Sequence, residues 1–249
     1  GQDWKVISRI NDDLRNNGIQ ITYVGKIGLN PFAGRTHSKI TIVDDQIFTF
    51  GGINFTDDWF INADFMLRIH DSILADRLQR LVQDIQADNG ILPDLEELLG
   101  EGATMLFDGG TPGKSVIYDT ACRLVKNAAH VYFVSQMCPS GRLAQLLRKT
   151  DSSCYFISPG QTDFPANVGL MIDQKRYRIH NLYKGTRYIH AKFILTIDKQ
   201  GEKHLLCGSN NFSWRGIAFG TKEIAVHSTD PKLWDEVYQY MQRHIVNPG

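Results

Sequence analysis

The stretch Thr36 to Asn54 reads THSKITIVDDQIFTFGGIN, and a second stretch, Ile189 to Asn211, repeats its pattern as IHAKFILTIDKQGEKHLLCGSNN. Each copy begins with a histidine and a lysine that are separated by one residue. Two apolar runs around a polar turn follow, and each copy ends on Gly-Gly or Gly-Ser, one further residue and an asparagine. A duplicated pattern of this length predicts two similar halves that share one site.

The first copy has the features of a β-hairpin that carries functional side chains on one face. Its β-branched and aromatic runs lie on either side of the turn residues 44–46, which predicts two paired strands. His37 and Lys39 are two residues apart, so on a strand they point to the same side. The two glycines of the tail let the backbone approach whatever His37 faces. Asn54 then adds an amide donor near the same place.

The two copies together supply six candidate catalytic residues: His37, Lys39, Asn54, His190, Lys192 and Asn211. Two imidazoles, two ammonium groups and two amides suit an anion with tetrahedral oxygens, above all a phosphodiester. A single histidine at the start of a strand is more often structural, so the repetition is what favours catalysis. The chain has no H-x-x-x-H or C-x-x-C spacing, and we therefore predict no metal site.

On these residues the sequence resembles the phospholipase D superfamily, whose signature is a pair of H-x-K-x4-D motifs, each followed by G-[GS]-x-N. Within the superfamily, the GGIN tail, Asp64 in NADFMLRI and Glu223 in GTKEIAV are most similar to bacterial cardiolipin synthases and related phosphatidyltransferases. The aspartates of the two motifs, which support the strand turn in the family, match Asp44 and Asp198. Asp198 comes one residue later than the family pattern, which would place it where Ile197 stands.

The mechanism that we expect is phosphodiester chemistry in two steps through a covalent phosphohistidine, without a metal or cofactor. The resemblance implies that His37 is the nucleophile and His190 the acid, while the lysines and asparagines hold the non-bridging oxygens. Asp64 and Glu223 are expected to orient the imidazoles. The sequence leaves open which carboxylate serves which histidine. Three further residues are expected to contact the substrate: Gly52, Ser209 and Arg215, the last of which is equally well explained as a surface residue.

The function that the resemblance implies is a cardiolipin synthase-like phosphatidyltransferase, with a phospholipid substrate and an alcohol acceptor. With water as the acceptor, the same site would make a phospholipase D hydrolase or a metal-independent endonuclease. A third alternative is a non-catalytic scaffold that binds lipid or nucleic acid, and the two intact motifs argue against it. Lys and Arg number 27, as do Asp and Glu, so the chain lacks the basic surplus typical of proteins that bind long nucleic acids.

Cysteine usage and hydropathy bear on the compartment. The four cysteines lie in or beside apolar runs without metal-ligand spacing, and we predict buried free thiols in a reducing compartment. The sequence contains neither an apolar run of about 20 residues nor a recognisable signal peptide. These features favour a cytoplasmic protein, or one that contacts the inner membrane face peripherally.

Strands that alternate with helices twice predict an α/β fold. We expect two similar halves with mixed β-sheets flanked by helices, arranged as a pseudo-twofold sandwich, with the halves at 1–95 and 96–249. Residues 104–136 form an extra strand-helix-strand with no counterpart before residue 4. The first half is therefore expected to lack its N-terminal strand, helix and strand. Two of the other strands are expected at 19–24 and 177–182.

Overall fold

The computed structural model describes residues 4–21, 35–44, 46–49, 51–53, 61–87, 90–100, 102–150, 152–158 and 164–247. Its strands are β1 Arg35–Thr36, β2 Thr41–Val43, β3 Gln46–Thr49, β4 Leu67–His70, β5 Leu95–Leu98, β6 Ala103–Gly109, β7 Ala128–Ser135, β8 Ser152–Ile157, β9 Phe193–Asp198, β10 Lys203–Gly208 and β11 Thr221–Ser228. Its helices are α1 Trp4–Asn16, α2 Ser72–Ala87, α3 Val116–Asn127, α4 Gly141–Lys149, α5 Phe164–Tyr177, α6 Trp214–Ala218 and α7 Pro231–Met241, and the π-helical turn Gln242–Val246 follows α7.

The described strands form two sheets. Eight strands make one mixed sheet in the order β5-β6-β11-β10-β9-β7-β8, with β1 parallel to the start of β11. Strands β2, β3 and β4 make a separate antiparallel sheet. Helices flank the large mixed sheet, which confirms the predicted α/β fold class. None of the described helices is long and apolar enough to span a membrane.

The core lies on both faces of the large sheet because successive side chains of a strand point to opposite sides. Phe193 and Leu195 of β9 face a layer formed by α2, α7 and the three-stranded sheet. Ile194, between them, faces the layer of α3 and α4. Burial on both faces explains why the central strands read as continuous apolar runs. All four cysteines are free thiols, as predicted, and three of them are buried.

Each motif-bearing segment is anchored on the other half of the chain. The backbone N–H of His37 donates to the carbonyl of Lys222 at 2.8 Å, where β1 runs beside β11. In the same way, the N–H of His190 donates to the carbonyl of Ala63 at 3.0 Å, and the N–H of Ala63 donates to Tyr188 at 2.8 Å. The two halves therefore make equivalent backbone contacts, and these contacts place each histidine beside the opposite half.

The hairpin of the first motif forms as predicted. Strand β2 pairs antiparallel with β3, and Asp44 occupies the turn with a φ of 53°. Residues 103–135 form the expected strand-helix-strand, β6-α3-β7. The proposed division into halves at 95 and 96 stays a prediction, and Leu95 begins β5, which pairs with β6 in the large sheet. Of the strand predicted at 19–24, residues 22–24 lie outside the described part of the chain, and 19–21 are not in a strand.

The strand predicted at 177–182 is wrong. Helix α5 continues to Tyr177, and Arg178 ends it with a φ of 52°. In the following segment, the side-chain NH₂ of Asn181 donates to the carbonyl of Ile157 at 2.9 Å, and its Oδ1 accepts from the backbone N–H of Ile157 at 3.0 Å. The side-chain amide thus takes the hydrogen bonds at the end of β8 that a neighbouring strand would otherwise make. The backbone of this segment pairs with β8 through an isolated bridge between Asn181 and Tyr155.

Candidate active site

The two motif histidines pair with carboxylates of the opposite halves. His37 Nδ1 lies 3.0 Å from Glu223 Oε2, and His190 Nδ1 lies 2.7 Å from Asp64 Oδ2. An ionised carboxylate only accepts hydrogen bonds, so the neutral imidazole must donate from Nδ1. Its Nε2 then keeps the lone pair that can attack or accept a proton. The pairing is crossed, which settles the question that the sequence left open.

The glycine-rich tails hold these carboxylates in place. Gly52 N donates to Asp64 Oδ1 at 3.3 Å, and at the equivalent position of the second tail the Ser209 hydroxyl donates to Glu223 Oε2. A Cβ added to Gly52 would lie 2.6 Å from Asp64 Oδ2 and 2.9 Å from Lys192 Nζ. Gly52 therefore lets the first tail pass directly against the second motif. A substrate contact for Gly52 and Ser209 stays a prediction.

The two motif lysines have the same local geometry. Lys39 Nζ donates to the carbonyl of His37 at 2.8 Å, and Lys192 Nζ donates to the carbonyl of His190. Burial lowers the pKa of Lys192 to about 7 and that of Lys39 to about 8, although Asp64 and Glu223 pull both pKa values upward. Since each lysine is within electrostatic reach of both carboxylates, the two motifs form one site.

Burial also sets the charge of the paired groups. Together with the nearby Lys192 and Lys39, burial lowers the pKa of His190 to about 4 against the opposing effect of Asp64. His190 is therefore neutral near pH 7. Burial alone would raise the pKa of Glu223, but its electrostatic interaction and hydrogen bond with His37 and its hydrogen bond with Ser209 hold this pKa below its ordinary value.

Comparisons with known proteins show what the chain is similar to. Residues 2–86, which include the first motif and Asp64, match the family model described as "Cardiolipin synthase, PLD-like domain". Over these residues, the predicted resemblance to the phospholipase D superfamily is confirmed. No curated protein sequence matches the chain significantly.

Solved structures resemble the fold of this chain to different degrees. Phosphatidylserine synthase from Haemophilus influenzae Rd KW20 superposes with a TM-score of 0.61 at 12% identity, over 84% of this chain and 62% of that one. Polyphosphate kinase from Porphyromonas gingivalis has a TM-score of 0.56 at 13% identity, over 93% of this chain and 37% of that one. Nuc from Salmonella typhimurium, a phospholipase D family member, has a TM-score of 0.43 at 16% identity, over 56% of this chain and 91% of that one. The chain thus spans about 62% of the length of the synthase, and at these identities the likeness concerns the fold.

Three other residues of the predicted site have different outcomes. Asn211 lines a cavity of about 140 Å³ together with Glu223, and its Oδ1 is buried without a hydrogen-bond partner in the described part of the chain. The amide oxygen is an acceptor, whereas a contact with a substrate oxygen needs the NH₂ group of Asn211, so that contact stays a prediction. Asn54 lies outside the described residues. Arg215 lies in α6, and its side chain is likewise outside the described part.

The motif aspartates lie at turns. Asp44 is exposed at the turn of the first hairpin, and Asp198 Oδ1 accepts from the N–H groups of Gln200 and Glu202 at 2.9 and 2.8 Å. Among the described residues, one group has ligand atoms close enough to hold a cation, and it is formed by Asp198, Glu202 and His204, within 4.8 Å of one another. It lies where β9 ends and β10 begins, and it includes neither paired histidine.

Sequence reasoning missed two residues that support the crossing of the halves. Arg187 donates from Nε and Nη2 to the carbonyls of Ile61 and Asn62 at 2.7 and 2.8 Å, which ties down the segment that carries the first-half carboxylate. The ring of Tyr188 stacks on His190 with centroids 6.5 Å apart, and its hydroxyl accepts from the side-chain amide of Gln136 at 2.7 Å. Their position directly before the second H-x-K was the available signal.

Asp108 is a buried carboxyl group beside the site that carried no sequence signal. It lies on β6 in register with Glu223 of β11. Its carboxylate accepts from the hydroxyl of Ser115 at 2.6 Å and from the N–H of Ile117 at 3.2 Å, which ties the start of α3 to the sheet. Burial raises the pKa of Asp108 to about 7, so its charge varies near neutral pH.

Proposed function

We propose that the chain is a phosphodiester-transferring enzyme that acts through a covalent phosphohistidine, and that it is a cardiolipin synthase-like phosphatidyltransferase. The crossed pairs, His37 with Glu223 and His190 with Asp64, are the observation that carries this proposal. Two imidazoles with their Nε2 lone pairs available, next to two buried lysines, match the needs of a two-step displacement at phosphorus.

In the first step, Nε2 of one imidazole forms a bond to phosphorus, and the bond from phosphorus to the leaving oxygen breaks. The other imidazole, in its protonated form, gives its proton to that oxygen. In the second step, the now neutral imidazole removes a proton from the incoming alcohol. The alcohol oxygen bonds to phosphorus and the phosphorus–nitrogen bond breaks, which restores both histidines.

The lysines and Asn211 are proposed to hold the non-bridging oxygens during both displacements. Because the pKa values of Lys39 and Lys192 are lowered by burial to about 8 and about 7, an arriving phosphodiester anion would raise them and favour the ammonium forms. The site would thus gain charge as the substrate enters, and this charge would balance that of the phosphoryl group.

A phospholipid donor is supported by the match of residues 2–86 to a family described as cardiolipin synthase. The zero net charge argues against a substrate of long nucleic acid. A phospholipid donor lies in a bilayer, so the proposal includes peripheral association with the inner membrane face. The acceptor is proposed to be an alcohol, with water as the competing acceptor.

The substrate proposal is tested by offering three substrates in parallel: phosphatidylglycerol vesicles, labelled DNA and an activated phosphodiester such as bis-p-nitrophenyl phosphate. We expect transfer of the phosphatidyl group to an alcohol, detected as a new phospholipid by mass spectrometry. If phosphatidic acid forms instead, the chain is a hydrolase, and preferential cleavage of DNA would make it a nuclease. If no product forms in any arm, the chain is a binding scaffold.

The roles of the two histidines are distinguished by trapping the covalent phosphohistidine adduct. The resemblance makes His37 the nucleophile, whereas the depressed pKa of His190 keeps this residue in the neutral form that suits attack. With an activated diester, the variant that lacks the acid/base histidine should burst once and accumulate phosphoenzyme, because the acceptor then has no base. An adduct on His37 in His190→Asn supports the resemblance, and an adduct on His190 in His37→Asn reverses the roles. If neither variant gives an adduct, the covalent mechanism is wrong.

A further inference from the structure

A second concave site lies outside the paired histidines. A cavity of about 580 Å³ separates the segment 184–187 from the π-helical turn at the end of α7. Four of its lining side chains are basic: Lys184, Arg187, Arg243 and His244. The lining residues that the structure describes include no Asp or Glu. A concave surface of one charge sign concentrates ligands of the opposite sign, so its chemistry favours an anion.

Two of these basic groups are held in place by the fold. The guanidinium of Arg187 is fixed by its hydrogen bonds to Ile61 O and Asn62 O at 2.7 and 2.8 Å. A guanidinium has five N–H donors in a planar fork, so two backbone contacts leave donors for a ligand. On the opposite wall, the ring of His244 packs on Tyr240 with centroids 4.8 Å apart. The cavity therefore presents hydrogen-bond donors at set positions.

The cavity lies next to the two histidine–carboxylate pairs, and none of its lining side chains belongs to these pairs. Tyr240 also packs on Phe65, with centroids 5.1 Å apart, and Phe65 directly follows Asp64. On the other side, Arg187 is three residues before His190. A ligand in the cavity would thus lie beside the backbone that brings Asp64 and His190 together.

We propose that this cationic cavity, defined by Lys184, Arg187, Arg243 and His244, binds a phosphate-type oxyanion. Guanidinium groups bind phosphate oxygens through paired N–H donors, and ammonium groups add a point charge. The same chemistry can come from the headgroup of an anionic phospholipid or from free phosphate. The inference rests on the cavity alone and stands whether or not the reaction proposed above is correct.

The test compares the wild-type chain with the double variant Lys184→Gln/Arg243→Gln, which retains Arg187 because that side chain also supports the backbone. Binding of inorganic phosphate is measured by calorimetry. Binding to vesicles of phosphatidylcholine, with and without phosphatidylglycerol, is measured by co-sedimentation. We expect the double variant to bind roughly tenfold or more weakly in at least one arm, since two charge-assisted contacts are lost. The matched control is Lys175→Gln/Arg176→Gln, which removes the same charge from exposed positions of α5.

The outcomes are distinct. A selective loss in the phosphate arm identifies a free-phosphate site, and a selective loss with phosphatidylglycerol vesicles identifies a lipid headgroup site. Equal binding by the double variant and the α5 control in both arms overturns the proposal. Hydrolysis of an activated diester should be retained by the double variant, because the paired histidines are intact; a loss comparable to that of His37→Asn would assign the cavity to the catalytic site instead. If the double variant fails to fold by circular dichroism, Arg243→Gln, at an exposed position, repeats the comparison.

Discussion

Asp64→Asn is expected to inactivate His190 by reversing its tautomer. Asp64 Oδ1 accepts from the N–H groups of Gly52 and Phe65 at 3.3 and 2.9 Å, while Oδ2 faces His190 Nδ1 at 2.7 Å. In an asparagine, only the amide oxygen can accept from the two backbone donors, so the NH₂ group takes the place of Oδ2. Two donors cannot face each other, and the imidazole proton therefore moves from Nδ1 to Nε2.

The size of the effect follows from the loss of the reactive nitrogen. In a Ser-His-Asp triad, the same Asp→Asn change leaves the geometry intact and lowers kcat roughly 10⁴-fold, or about 5 kcal/mol in the barrier, because it selects the wrong tautomer. We expect a loss of about this order for Asp64→Asn. The relevant assay is steady-state turnover of a phosphodiester with an unactivated leaving group, for which both imidazoles are needed.

Glu223→Gln is the matched control for this reasoning. A single oxygen, Glu223 Oε2, contacts His37 Nδ1 at 3.0 Å and accepts from the Ser209 hydroxyl. The amide oxygen of a glutamine can occupy that position and preserve the tautomer of His37. The remaining loss is that of the carboxylate charge, roughly 1.4 kcal/mol or tenfold in kcat. Equal losses in the two variants, or a loss below about tenfold in Asp64→Asn, would refute the reasoning, provided that thermal melting shows both variants folded.

Three further predictions concern charge, space and metals. The value of kcat/KM should fall as pH rises through about 7 to 8, because Lys192 and Lys39 lose their protons there; a profile that stays flat to higher pH would contradict their lowered pKa values. Gly52→Ala should reduce kcat by more than tenfold, since its Cβ would lie 2.6 Å from Asp64 Oδ2, and activity close to wild type would exclude this contact. Turnover should survive EDTA, and restoration of lost activity by a divalent ion would show that the proposed mechanism is wrong.

The sequence by itself was enough to predict which residues form the candidate site. The spacing of His37 and Lys39, and its repetition at His190 and Lys192, predicted which side chains act together. The structure places the first pair between β1 and β2 and the second pair just before β9, so the expectation that they lie within strands was wrong. The hairpin of β2 and β3 was predictable because its turn is encoded by residues next to one another. The resemblance carried by these motifs also led to the α/β fold of the superfamily.

Short strands, and segments in which a side chain makes the hydrogen bonds of a strand, were less predictable. Strand β5 is four residues long and mostly exposed, so its sequence LEEL shows no alternation of buried and exposed side chains. The strand expected at 177–182 is absent because Asn181 uses its side chain to hydrogen-bond β8, and propensity does not report such a contact. In both cases, a tertiary partner decides the local structure.

Only the tertiary structure decided how the parts are connected. The crossed pairs join residues 186 and 126 positions apart, His37 with Glu223 and His190 with Asp64, and no local pattern specifies which carboxylate meets which imidazole. The charge states also depend on the fold, because burial lowers the pKa of Lys192 to about 7 and that of His190 to about 4. Desolvation is a property of everything packed around a group, so the residue types could be identified from the sequence while their protonation could not.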